Sequence, residues 1–276
     1  MQKTYATTVY WGGTIITMDN NNSIVKAVAI KNESIIGIGT KETIAGFIGD
    51  NTEVIDLQGK TLLPGFYDAH SHVFKAGDIG LFHVDLNSPP IGKIESINDC
   101  IALLKLRAED TQPGQWVLGR GYDDSLLAEK RHPTRYDLDQ VSTKHPVWAV
   151  HISGHYGVAN SKALEMAGVT KDTVAPEGGS IAKDSVSGEP NGVFEETAMD
   201  LVREHIPSLT DEQILDAIIH AGKIYAQKGI TTANEGSSNL SAKVNEYQKA
   251  IASGRMPIRT VLWLDCNEID EAHKLG

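Results

Sequence analysis

The 276-residue chain is 41% hydrophobic and 22% charged, ordinary globular composition that suffices for one large domain or a large and a small one. Its 25 basic residues against 36 acidic ones leave a net charge of −11, and no basic patch appears, which argues against a nucleic-acid interface and against adhesion to an anionic membrane. Two sparse cysteines, Cys100 and Cys266, suggest no disulfide framework; without a leader-like start or a bilayer-length apolar run, the expected setting is a reducing cytoplasm.

Residues 7–58 read as short strands separated by turn chemistry. "TVYWGGTIITM" is β-branched and aromatic, Asp19 to Ser23 is a turn cluster, and "IVKAVAIK" with "IIGIG" forms a hairpin across "NES". A short helix follows, with Thr40 as its N-cap and Gly49 as its stop, and "TEVIDLQG" is one more strand. Strands this short with so little helix predict a small β-sandwich segment over residues 1–60.

From Thr61 the rhythm becomes strand, polar loop, helix. "TLLPGFYDAH" is a strand followed by a loop, and Ile97, Ile101, Leu104 and Ala108 recur at helical spacing between Glu95 and Asp110. Strands follow at Trp116 to Asp124 and Pro146 to His155, then a helix capped by Asn160 or Ser161 and stopped by Gly168. "GVFEETAMDLVREHI" is helical in its later part, and the next helix opens on a capping box, Thr210 with Gln213, and closes on Gly229. "ITTANEGSS", "SAKVNEYQKAIASG" and "IRTVLWLDC" add a strand, a helix and a strand.

This alternation predicts an α/β protein with a parallel sheet, either open and doubly wound or closed as a (β/α)8 TIM-type barrel. No glycine-rich phosphate fingerprint follows the first strand, which disfavours a dinucleotide binder. Polar residues instead recur at the C-terminal ends of strands: His70 and His72, Asp123 and Asp124, His155, Glu235, Asp265. Barrels place their chemistry there, so the barrel is favoured. Only four or five of its strands fit, so residues 61–276 read as a partial barrel truncated at the C-terminus, the first portion of a longer polypeptide with open sheet edges.

His70 and His72 stand at i and i+2, so on a strand both side chains share one face with Cα atoms roughly 7 Å apart. Two neutral imidazoles so placed can converge on a divalent ion such as zinc, with Asp68 behind them; the other reading is a pair of surface histidines on a loop.

"IDLQGKTLLPGFYDAHSH" resembles the barrel entry of the amidohydrolase superfamily, and "NESIIGIGTKE" is similar to its N-terminal sandwich hairpin. "GRGYDD", "HPTRYDLDQVSTKHPVWAVHISGHYGVANSKALEMAGV", "GEPNGVFEETAM" and "GITTANEG" resemble, in order, the amidohydrolase 3 branch, which includes N-substituted formamide deformylases. The resemblance covers nearly the whole chain. It implies a metal-dependent hydrolase of small molecules, acting on C–N bonds other than peptide bonds, with a divalent metal, usually zinc, and His70 and His72 among its ligands. No residue here matches that superfamily's last-strand Asp.

The resemblance also gives His155 a role in substrate contact or carbonyl polarisation, against a loop histidine bonded to backbone, and Glu196 a reach to metal or substrate, against plain exposure. Glu195 reads as solvated. Asp123 and Glu235 either line the pocket or serve structure, and His151 reads as a core histidine. His132, His145, His205, His220 and His273 read as surface or packing residues. A non-catalytic scaffold of the same superfamily is the alternative function, and a homo-oligomeric full-length protein is left open.

Overall fold

The computed structural model describes residues 4–236, 243–263, 270 and 273–274, and divides after Tyr67 into two compact units. The strand-end Asp265 and the second cysteine, Cys266, lie outside the described residues.

In the first unit, β1 (Thr8–Ile16), β2 (Ile24–Lys31), β3 (Ser34–Gly39) and β4 (Glu53–Asp56) form a sheet in the order β3-β2-β1-β4, with β5 (Thr61–Leu62) also on β1. The β2–β3 hairpin turns through Asn32 at φ 54°, the left-handed backbone that a two-residue loop demands. At Gly12 (φ 76°) the β1–β2 register shifts, and an added Cβ would fall on the Asp56 carboxylate. Between β3 and β4, α1 (Lys41–Ala45) starts where the Thr40 side chain accepts from the Thr43 N–H. Val9, Ala27, Ala29 and Ile44 make the core, with Trp11, Ile36, Phe47 and Ile48 against it. The unit is therefore one sheet among its described residues, where the sequence suggested two facing ones. Ile44, Phe47 and Ile48 supply the apolar cover that a second sheet would give. Residues 61–62 stay with this unit because Thr61 pairs with Thr14.

The second unit builds two sheets. Its elements run β6 (Phe66–Ser71), α2 (Val73–Phe82), β7 (Val84–Asp85), α3 (Ile97–Glu109), β8 (Val117–Tyr122), α4 (Arg135–Asp139), β9 (Val147–His151) and β10 (Tyr156–Ala159). Then come α5 (Ser161–Met166), β11 (Gly179–Lys183), β12 (Pro190–Glu196), a short 3-10 turn (Thr197–Met199), α6 (Asp200–Arg203), α7 (Asp211–Gln227), β13 (Ile230–Glu235), α8 (Val244–Ala252) and β14 (Arg259–Leu262).

One sheet has the order β14-β13-β6, with β13 and β14 parallel. The other runs β11-β12-β10-β9-β8-β7, parallel from β7 to β9 and antiparallel beyond. This corrects the expectation that the strands at Trp116–Asp124 and Pro146–His155 continue the sheet of His70. From β9 the chain returns directly into β10 as a hairpin, whereas a parallel barrel needs a crossover between successive strands.

The mixed sheet packs on α3 through Cys100, Ile101, Leu104 and Ala108 against Val117, Val147 and Ala149. Leu104 and Leu138 are fully buried, worth about 1.5–3 kcal/mol each in apolar area removed from water. Asn160, fully buried, caps α5: its Oδ1 accepts from the N–H of Val147 and Ala163, and its Nδ2 donates to the carbonyls of Ser142 and His145. α7 opens on the expected box of Thr210 and Gln213 and lies against α2 so closely that a Cβ on Gly77 would sit 1.8 Å from the Ala217 carbonyl oxygen. No helix among the described residues is long and apolar enough to cross a membrane.

Candidate metal-binding and catalytic site

β6 stops at Ser71, and His72 stands directly before the first residue of α2. His70 and His72 are exposed, and their ring centroids lie 5.4 Å apart at 83°. Alternation along the strand puts both on one face, and Trp263 meets the His70 ring at 5.6 Å. The strand end is tied to β13 atom by atom. Ser71 Oγ donates to the Asn234 carbonyl at 2.7 Å, Asn234 Nδ2 donates to the Ala69 carbonyl at 2.7 Å, and Gly236 N donates to the Ser71 carbonyl at 2.9 Å. Asp68 Oδ1 accepts from the His70 N–H at 3.3 Å.

Beneath this end lies Glu235, fully buried. Its Oε2 accepts from the Phe74 N–H at 2.5 Å and from the Tyr247 hydroxyl at 2.7 Å. Phe74 is in the first turn of α2, whose own N-cap, His72, makes no side-chain capping bond to the helix. A carboxylate from a remote strand thus does the capping. Burial first, then the Glu235 charge, pushes the Tyr247 pKa far up, so its hydroxyl stays a donor.

The donor chemistry suits a divalent ion. Imidazole nitrogens bind zinc at about 2.0 Å, and two rings on a tetrahedral ion would have centroids about 5 Å apart, close to the 5.4 Å present. Among the described residues no third ligand atom joins the pair.

The other nominated residues sit on the mixed sheet. Asp123 and Asp124 follow β8, and one oxygen of each lies within 4.8 Å of a ring nitrogen of His151 at the end of β9, a group able to hold a cation. His151 Nε2 is 3.2 Å from Asp124 Oδ1 but misaligned, so this buried nitrogen makes no hydrogen bond. Its Nδ1 lies 2.8 Å from Ser153 Oγ. Asp123 accepts from the Ser125 hydroxyl and N–H, which hold its carboxyl below the usual range. His132 stacks on Tyr156 and its Nδ1 is 3.0 Å from the Tyr122 hydroxyl; burial lowers its pKa despite Asp124. His151 is therefore part of a polar cluster, where the sequence suggested a core residue. The signal available was the Asp-Asp step closing a strand. His145 is a packing residue as expected, bonded to Ser142 and Thr111.

His155 and Glu196 meet across β10 and β12. His155 Nδ1 is 2.9 Å from Glu196 Oε1 and 3.0 Å from Oε2, and Glu196 N donates to the His155 carbonyl at 3.0 Å. Their side chains are 61% and 47% exposed. Glu196 has φ 50° and ψ −128°. A non-glycine residue there costs on the order of 1–3 kcal/mol, while an exposed ion pair returns about 0–1 kcal/mol. Stability does not account for the pair. Glu195, read as solvated, is only partly buried and also accepts from the hydroxyls of Tyr156 and Ser180, which lower its pKa. So the structure brings Glu235 to the sheet of His70 and His72, and places Asp123, His155 and Glu196 on the other.

Residues 53–276 match the amidohydrolase family. The chain is 34% identical over 248 residues to N-substituted formamide deformylase of Arthrobacter pascens, covering 87% of this chain and 44% of that protein. It is 30% identical to Protein LONG AFTER FAR-RED 3 of Arabidopsis thaliana, covering 91% of this chain and 43% of that one. A crystal structure of a metal-dependent hydrolase from Pyrococcus horikoshii superposes with a TM-score of 0.70 at 25% identity, over 98% of this chain and 50% of that chain. The chain spans about half the length of the relatives it matches. With the family match extending over most of its length, the chain belongs to the amidohydrolase family.

Proposed function

We propose that the protein is a metal-dependent hydrolase that cleaves a non-peptide C–N bond, of amide or formamide type, in a small molecule. The observation that carries this is the pair His70 and His72, side by side at the end of β6 at a spacing that fits one ion. The formamide deformylase relative supports the bond type. Neutral imidazoles suit zinc. A divalent ion held there supplies Lewis acidity, polarising a carbonyl and easing deprotonation of water.

The chain's own residues do the positioning. His70 and His72 are the ligands. Ser71, Asn234 and Gly236 fix the strand end from which the rings project. Glu235 is reassigned from substrate contact to positioning, because it is fully buried and its carboxylate already holds Phe74 and Tyr247. Asp123 and His155 remain the substrate contacts of this reading. β6, β13 and β14 are its first barrel strands, with closure as a TIM-type barrel.

Zinc content after equilibrium dialysis tests the assignment. His70→Ala with His72→Ala should remove at least one equivalent of zinc, whereas Asp124→Asn should leave that equivalent in place. Retention in the double variant, with loss in Asp124→Asn, would move the metal to the mixed sheet and sink the reading.

A further inference from the structure

Trp116 and Leu118 stand at the start of β8, the end of the strand opposite to Asp123, and there the sheet leaves a cleft of about 460 Å³. Its apolar walls are Trp116, Leu118, Phe82 from the end of α2, Met166 from the end of α5, and Ile206 beyond α6. Trp116, Leu118 and Ile206 also pack against the buried cluster of Trp148, Phe194 and Met199, so these walls belong to the core. Size and lining suit a small molecule. The polar residues narrow its chemistry. Arg107 of α3 and His205 line the cleft, and no acidic residue does among those described, in a chain with 36 of them. Arg107 is half-buried, yet among the described residues its guanidinium makes no hydrogen bond and no ion pair, not even with Asp110 three residues on. The His205 ring and the Trp116 indole N–H have no partner there either. An adjoining cleft that shares Phe82 and Leu118 does contain an acid, Asp78, but Lys75 Nζ holds that carboxylate at 2.7 Å. A guanidinium stays charged at any working pH, and a half-buried charge calls for an acceptor.

We propose that this cleft binds a small aromatic carboxylate, with the carboxylate on Arg107 and the ring against Trp116 and Phe82. One planar guanidinium matches one carboxylate in a two-pronged contact. His205 and the Trp116 N–H add neutral donors, and the aromatic walls take the apolar body of the ligand. A phosphate dianion would find a single fixed cation and mostly apolar surface, so it is the poorer fit. The cleft shares no lining residue with the end of β6, and the proposal does not depend on the hydrolase reading.

The test titrates phenylacetate into the purified protein, followed by calorimetry and by tryptophan emission. The parent should bind one phenylacetate per chain, and should bind phenylacetamide, which has the same shape without the charge, about tenfold or more weakly. Arg107→Gln should bring phenylacetate down to the level of phenylacetamide while leaving phenylacetamide unchanged. It should also melt at the parent's temperature, because the guanidinium has no partner to lose. Trp116→Phe should abolish the emission change. His70→Ala with His72→Ala should bind phenylacetate as the parent does. No saturable binding, equal affinity for acid and amide, or unchanged affinity in Arg107→Gln would each overturn the proposal. So would a lower melting temperature in Arg107→Gln, which would make the guanidinium a structural group. Loss of binding in the double histidine variant would place the acid at the end of β6 instead, and competition by inorganic phosphate would replace a carboxylate site with a general anion site.

Discussion

The sheet of β6, β13 and β14 and the sheet of β7 to β12 both contain strands that run into polar residues, yet they treat those residues differently. At the end of β6, the hydrogen-bonding demand is met from beneath, by buried Glu235 and the Ser71–Asn234 ties, and the two imidazoles are left exposed on one face. In the mixed sheet the polar ends instead face one another, although the buried Nε2 of His151 makes no hydrogen bond. His151 faces Asp124, His155 holds Glu196, and Tyr156 donates to Glu195. A polar strand end is thus ambiguous in itself. The end of β6 differs in being supported from behind rather than from alongside.

The largest effect should come from removing that support. Glu235→Ala leaves the Phe74 N–H and the Tyr247 hydroxyl without their acceptor in a buried site, and should cost about 3 kcal/mol or more in urea unfolding. If α2 positions His72, zinc affinity measured calorimetrically should also fall about 10- to 100-fold. Lost stability with unchanged zinc affinity would make Glu235 a brace alone and erase the contrast between the sheets.

A smaller loss should follow in the mixed sheet. Asn160→Ala removes the acceptor of the Val147 and Ala163 N–H groups and the donor to two carbonyls, for about 2 kcal/mol. Zinc affinity should not move. A coupled loss of zinc would show that the two sheets act as one site-forming body and that their division is too sharp.

Local chemistry was legible in the sequence, and remote pairing was not. The β2–β3 turn, the helix begun by Thr40 and the Thr210–Gln213 box all lie within a few residues, and each formed as expected. The shared face of His70 and His72 was legible for the same reason, since period-2 alternation is local. By contrast, α2 was read as a loop because its capping carboxylate arrives from Glu235, 161 residues away. The β11–β12 hairpin went unseen, although Asp184 accepts from the N–H groups of Val186 and Ser187 within its turn, because "GSIAK" carries little strand pattern by itself. Sheet membership of β8 and β9 depended on the β9–β10 return, and the partnership of His155 with Glu196 spans 41 residues.

The mildest comparison is a titration, and each sheet region carries its own reporter. Tyr122, at the end of β8, and Tyr247, on α8 beside Glu235, both have pKa values raised, by burial first and by a neighbouring carboxylate second. Cys100 in α3 is pushed up by burial to about 12. A group whose pKa is higher folded than unfolded binds more protons in the folded state, so its contribution is complete below the unfolded value and is lost as pH rises past it. Stability should therefore hold to about pH 8, begin to fall as the unfolded thiol ionises, and steepen above about pH 10 as unfolded tyrosines do. Each tyrosine adds a slope of about 1.4 kcal/mol per pH unit in that range. Tyr247→Phe should lower stability at neutral pH, through the lost bond to Glu235, yet flatten the alkaline limb by about one such increment. Tyr122→Phe should flatten it equally while leaving Glu235 its Tyr247 partner. If only one of the two variants changes the limb, one region has opened before the other, and the two sheets unfold as separate steps.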